Sequence, residues 1–124
     1  MQTGLQLLQQ GRLEEARRAF LSLLQLDPQS AIGHHMVGLI ALQTGQFEAG
    51  VESLKRAIAL DPSDPSAYGN LANGLRELGR TEEAMQAYDR AIAMNPGFLN
   101  ALNNRAILLS RLGRFDGRCP LVGL

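Results

Sequence analysis

Asn70 and Asn104 recur at an interval of 34 along the chain. An asparagine amide carries two N–H donors and a carbonyl acceptor, so a row of them can hold the backbone of an extended peptide without demanding a particular side chain. Met36 occupies the matching place one interval earlier, which keeps such a row short. The remaining chemistry-bearing residues have plainer roles. His34 and His35 are adjacent, so on a helix they point about 100° apart and do not share a metal; His34 takes a packing position and His35 is free to contact a ligand. The acidic pairs Glu14/Glu15 and Glu82/Glu83 fall at expected helix starts, where they compensate the helix dipole and need no general acid or base role. Cys119 is the only cysteine, which excludes an internal disulfide and a thiolate zinc site. No glycine-rich phosphate loop follows a strand, because no strand pattern is present. Catalytic residues, metals and cofactors are therefore not expected.

The elements that position these residues must come from a chain of 124 residues, 45% hydrophobic and 19% charged. That composition suits one packed domain rather than a disordered chain. Twelve basic and twelve acidic residues balance and interleave, so no nucleic-acid footprint is expected. Apolar stretches are interrupted well short of the ~20 residues a bilayer span needs, and no secretory signal pattern opens the chain. The expected compartment is cytoplasmic, with no membrane partner.

A period organises everything else. Pro28, Pro62 and Pro96 fall at a constant interval of 34, each preceded by Asp27, Asp61 or Asn95. Gly11, Gly45, Gly79 and Gly113 recur at the same interval, about midway between the prolines. Each unit is thus two helices: glycine ends the first in the left-handed conformation, and proline closes the second. Ser30 and Asp64 stand where N-caps belong, and Pro65 suits a first helical position. This predicts helices at about 2–10, 13–26, 31–43, 47–60, 65–78, 81–94 and 99–112. Small residues keep the period too: Gly4, Gly38, Ala72 and Ala106 in first helices, Ala16, Gly50 and Ala84 in second ones. They let backbones approach, while Val37, Leu71, Phe20, Leu54 and Tyr88 fill the flanking space. One hairpin cannot bury such a two-sided set, so neighbours must stack.

The length of the repeating unit, the glycine turns, Phe47, the small residues Gly50 and Ala84, the bulky Leu54 and Tyr88, Ala57 and Ala91, and the closing proline resemble tetratricopeptide repeats. The sequence departs from that pattern at His34 and Tyr68, where the family often has Trp, and at Thr81, which replaces an aromatic. The resemblance implies an all-α, right-handed superhelical solenoid of antiparallel helix hairpins, with first helices lining a concave groove. It divides the chain into a partial repeat (1–30), complete repeats (31–64 and 65–98), the first helix of a truncated repeat (99–115) and an irregular tail (116–124). It implies a groove made of His35, Met36, Leu39, Asn70, Asn73, Arg76, Glu77, Asn103, Asn104 and Ile107, binding an extended peptide or a partner helix. The chain is most similar to arrays of protein O-glycosyltransferases, which carry an asparagine ladder. The alternative function is thus substrate recruitment for a larger enzyme. The family's carboxylate clamp is not expected, since only Asn70 matches it, while His35, Leu39, Asn100 and Asn104 replace its other positions.

The ends break the pattern. Arg118 falls where the small residue belongs and Pro120 lies inside what would be a second helix, at a cost of about 3 kcal/mol for the proline alone, so the fourth hairpin is not expected to close. Leu102, Leu109 and Leu112 are then expected to lack the partner they have in a longer array. Of two readings, the favoured one is a truncation whose tail has no function; in the other, CPLVGL covers the apolar surface exposed there or pairs with another molecule, and the chain self-associates through this edge.

Overall fold

The computed structural model describes residues 10 to 112, so the expected first helix and the tail from 113 onward, including the 116–124 expectation, lie outside the described residues. Among the described residues six helices follow in order: α1 (Leu13–Leu26), α2 (Ala31–Gln43), α3 (Phe47–Leu60), α4 (Pro65–Glu77), α5 (Thr81–Met94) and α6 (Leu99–Leu112). These coincide with the predicted elements to within a residue at each end.

The reason for the repeated acid-proline dipeptide is visible at the ends of α1, α3 and α5. Asp27, Asp61 and Asn95 donate their own backbone N–H to Leu23, Ala57 and Ala91, the last helical bond before the proline removes a donor. Their side-chain oxygens then accept from the backbone two residues on: Gln29 N at 3.2 Å, Ser63 N at 3.1 Å and Gly97 N at 3.2 Å. Such turns favour short polar side chains with a fixed acceptor, which is why Asp or Asn precedes each proline. The chain re-enters a helix through Ser30 Oγ, which accepts from Gly33 N at 3.1 Å, and Asp64 Oδ1, which accepts from Ser66 N at 2.9 Å. At the other turn of each unit Gly45 and Gly79 hold φ of +82° and +79°. A Cβ at either glycine would meet nothing within 4 Å; the requirement is one of backbone conformation alone.

Each helix packs on its neighbours in sequence, and α4 also touches α2 on one side and α6 on the other. Within a hairpin the approach is close enough to forbid a side chain. A Cβ on Gly38 would lie 3.1 Å from the Gly50 carbonyl oxygen and 2.9 Å from Leu54 Cγ, and one on Gly50 would lie 3.0 Å from the Gly38 oxygen. One unit later Ala72 and Ala84 take these places and are fully buried. The main core runs through α3 to α6, from Val51 and Leu54 through Leu71, Leu75 and Tyr88 to Ala101 and Leu108. A smaller cluster joins Ala16 and Phe20 of α1 to Ile40 of α2, with Met36 and Val37 packed against it.

At α6, the last described helix, the structure differs from expectation in one respect. Leu102 is exposed, but Leu109 is partly buried against the main core, because its side of α6 faces α5. Ala106, in the register of Gly38 and Ala72, is exposed.

Ala84→Leu is expected to destabilise the fold by about 1–3 kcal/mol through overpacking at the helix crossing. A substitution at the exposed Glu83 stays within about 0.5 kcal/mol. Urea denaturation of the two variants checks the contrast.

Candidate functional site

The first helices of three successive units face one open hollow of about 380 Å³. Leu39, Leu42 and Gln43 of α2, Phe47 at the start of α3, Asn70, Asn73, Arg76 and Glu77 of α4, and Asn100 and Asn104 of α6 line it. The stripe on α4 is set by helical geometry, since residues three and four apart share a face. Leu39, Leu42 and Phe47 make one side mainly apolar, beside the Gln43 amide, while α4 and α6 supply asparagine amides together with Arg76 and Glu77.

The amides are held in place from behind. Tyr88 is fully buried, and a buried phenol needs a partner for its hydroxyl. It donates to Asn73 Oδ1 at 2.5 Å and accepts from Arg76 Nη1 at 3.3 Å. Desolvation holds the Tyr88 phenol above the ordinary tyrosine pKa, with the Arg76 charge opposing that rise and Glu77 adding to it. Arg76 Nε is buried without a hydrogen-bond partner among the described residues; the Glu77 carboxylate lies 3.8 Å from it, an ion-pair distance only. Asn104 Nδ2 donates to Asn100 Oδ1 at 2.6 Å. Asn70 Nδ2 faces His35 Nε2 at 2.9 Å.

Six of the ten residues expected at the groove, Leu39, Asn70, Asn73, Arg76, Glu77 and Asn104, line this hollow together. Four do not. His35 is buried and lines a separate cavity of about 170 Å³ with Asp61 and Asp64; Met36 packs on the small core cluster; Asn103 and Ile107 are on α6 outside the lining. His34 is half-buried and its Nε2 pairs with the Pro28 carbonyl at 3.0 Å. The structure adds Leu42, Gln43, Phe47 and Asn100. The period itself marks two of them, because Leu42 and Gln43 precede Arg76 and Glu77 by one full interval. Asn100 lies one turn before Asn104 on the same face. Among the described residues no group of three or more His, Cys, Asp or Glu side chains is placed to hold a metal. No described helix is long and apolar enough to cross a membrane.

Helix hairpins stacked so that their first helices share one groove define a repeat scaffold whose general role is protein interaction. The chain belongs to the tetratricopeptide repeat family: models of that repeat match residues 1–65, 35–97 and 87–117. No curated protein matches the sequence. Among solved structures, MamA is similar with a TM-score of 0.84 and 26% identity over 94% of this chain and 68% of its own. The O-GlcNAc transferase of Thermobaculum terrenum is similar with a TM-score of 0.83 and 26% identity. That match covers 86% of this chain and 20% of the transferase. The first repeat domain of Spaghetti (RPAP3), bound to an HSP90 peptide, shares the fold at a TM-score of 0.85 and 22% identity, over 89% of this chain and 87% of that one.

Tyr88→Phe removes both hydrogen bonds of the phenol and is expected to cost about 1–3 kcal/mol in urea denaturation at neutral pH. In the unmodified chain, stability should fall as pH rises beyond about 10. There the unfolded phenol releases its proton while the native one retains it, and ∂ΔG/∂pH is negative wherever the native state binds more protons. The phenylalanine variant should lack this component of the alkaline fall.

Proposed function

We propose that the groove between α2, α4 and α6 binds an extended segment of a partner protein. Backbone recognition falls to Asn70, Asn73 and Asn104, and apolar contact to Leu39, Leu42 and Phe47. The observation that carries this reading is the unspent hydrogen-bonding capacity of the amides. Asn70 keeps its carbonyl oxygen, Asn73 its amide N–H groups and Asn104 its carbonyl oxygen, on one lined surface. Repeats of the same fold hold peptides in Spaghetti (the HSP90 peptide SRMEEVD) and in human RPAP3 (the HSP70 peptide SGPTIEEVD). The present groove differs in chemistry, with Leu39 and Asn104 at places where a carboxylate clamp has other residues.

A second reading is favoured by the recurrence of asparagine at one repeat interval together with the similarity to an O-GlcNAc transferase. In it the array recruits protein substrates for a catalytic domain. A reading frame continuing into such a domain would decide for it.

A display library of short randomised peptides, selected on the chain, supplies the probe. Binding of the recovered peptides by calorimetry should weaken by about tenfold or more in the Asn70→Ala, Asn104→Ala double variant, from two hydrogen bonds of about 1 kcal/mol each. Helicity by circular dichroism should not change. Peptide SRMEEVD should bind no better than a scrambled control. Undiminished binding in the double variant sinks the amide reading.

A further inference from the structure

His35 is buried at 7% exposure, yet it belongs neither to the core clusters nor to the groove lining. Its two ring nitrogens each face a polar group. Nδ1 lies 3.3 Å from Asp64 Oδ2, and Nε2 lies 2.9 Å from Asn70 Nδ2. Asp64 is itself pinned, because its other oxygen caps α4 at Ser66 N. Asp61 lines the same cavity, turned toward Ser63, whose hydroxyl and backbone N–H both donate to its Oδ1.

The proton positions follow from what each partner is able to do. A carboxylate only accepts, so the tautomer with its proton on Nδ1 is the one that suits the Asp64 oxygen at this ion-pair distance. In that Nδ1–H tautomer Nε2 is a bare acceptor, and the amide nitrogen of Asn70, 2.9 Å away, donates to it. An asparagine amide turns easily about its last torsion, which is broad and roughly two-fold. Fixing its nitrogen against His35 leaves the carbonyl oxygen as its uncommitted acceptor. That oxygen is not among the buried unpartnered atoms, so it is open to solvent or ligand. Three residues along the same helix face the opposite holds: Tyr88 consumes the oxygen of Asn73 and leaves its N–H groups.

We infer that His35, set by Asp64, is a positioning residue that locks the Asn70 amide as an acceptor. The groove then offers an acceptor at Asn70 and a donor at Asn73. This rests on the peptide-binding reading above and deepens it. Residues three apart on a helix have Cβ atoms about 5–6 Å apart, and one residue of an extended strand presents its N–H and C=O on the same side. A partner residue can therefore donate its N–H to the Asn70 oxygen while its C=O accepts from the Asn73 amide, and reversing the partner chain exchanges the two. The pair thus selects the direction in which a peptide lies.

Two measurements test this. In the free, ¹⁵N-labelled chain, long-range ¹H–¹⁵N correlation of the His35 ring should show a single Nδ1–H tautomer; an Nε2–H or averaged ring overturns the inference. With the display-selected peptides as probe, His35→Leu should weaken binding by about three- to tenfold, the worth of one ordered hydrogen bond. His35→Gln, which retains an acceptor at the reach of Nε2, should recover most of it. In an Asn70→Ala background His35→Leu should add nothing. A purely structural histidine would lower stability and give additive losses, and that result refutes the positioning role. If the library yields no binder, the groove reading falls. The tautomer, read on the unmodified chain, then stands or falls by its own spectrum.

Discussion

The contact on which the molecule depends is the crossing of the two helices within each hairpin. At Gly38 and Gly50 the backbones pass so closely that a methyl group on either would press on the other's carbonyl oxygen. At that distance Leu54, and one unit later Tyr88, reach across and are fully buried. Rotating either helix to admit a larger residue would move the face that its partner presents to the next unit. The groove is a consequence of this crossing. Only when the hairpins are closed in this register do α2, α4 and α6 lie side by side with Leu39, Asn73 and Asn104 turned to one hollow.

Core and site are also joined chemically. Tyr88 fills the space beside the Ala72 and Ala84 crossing, and burying its hydroxyl obliges the structure to supply partners. Those partners, Asn73 and Arg76, come from the groove face of α4. A substitution at Asn73 therefore changes the groove lining and an interior hydrogen bond together. The cationic Arg76 is held among amides with Glu77 beside it, which keeps the groove near charge balance and sets it apart from a cationic carboxylate trap.

The turn between repeats carries more than termination. In the stretch from Ala57 to Asp64, Asp61 closes α3 against Ser63, and Asp64 caps α4. Through its second oxygen Asp64 faces His35, and His35 faces Asn70. A residue that caps one helix thus stands, by way of a histidine from the previous first helix, one contact away from an amide of the groove.

How much of this was legible follows from what each feature depends on. The helices, their ends and the hairpin pairing rest on local chemistry: proline without a donor, glycine at positive φ, Ser30 and Asp64 as caps, small residues at a fixed interval. All of that is written along the chain, and the period repeats it until no other assignment fits. Asn70, Asn73, Arg76 and Asn104 were named for the groove through the family resemblance and do line the hollow; spacing alone gives no more than their shared helix faces and register. The orientation of His35 was not, since it is decided by Asp64 and Asn70, which belong to the cap and the body of a different helix. Nor was the exclusion of Met36, Asn103 and Ile107 from the lining, which depends on how far successive hairpins rotate. By itself the sequence determined the repeating unit and the kinds of side chain each face could offer. The packing of one unit on the next decided which of those side chains meet, because hydrogen bonds across repeats are set by helix rotation and distance rather than by spacing.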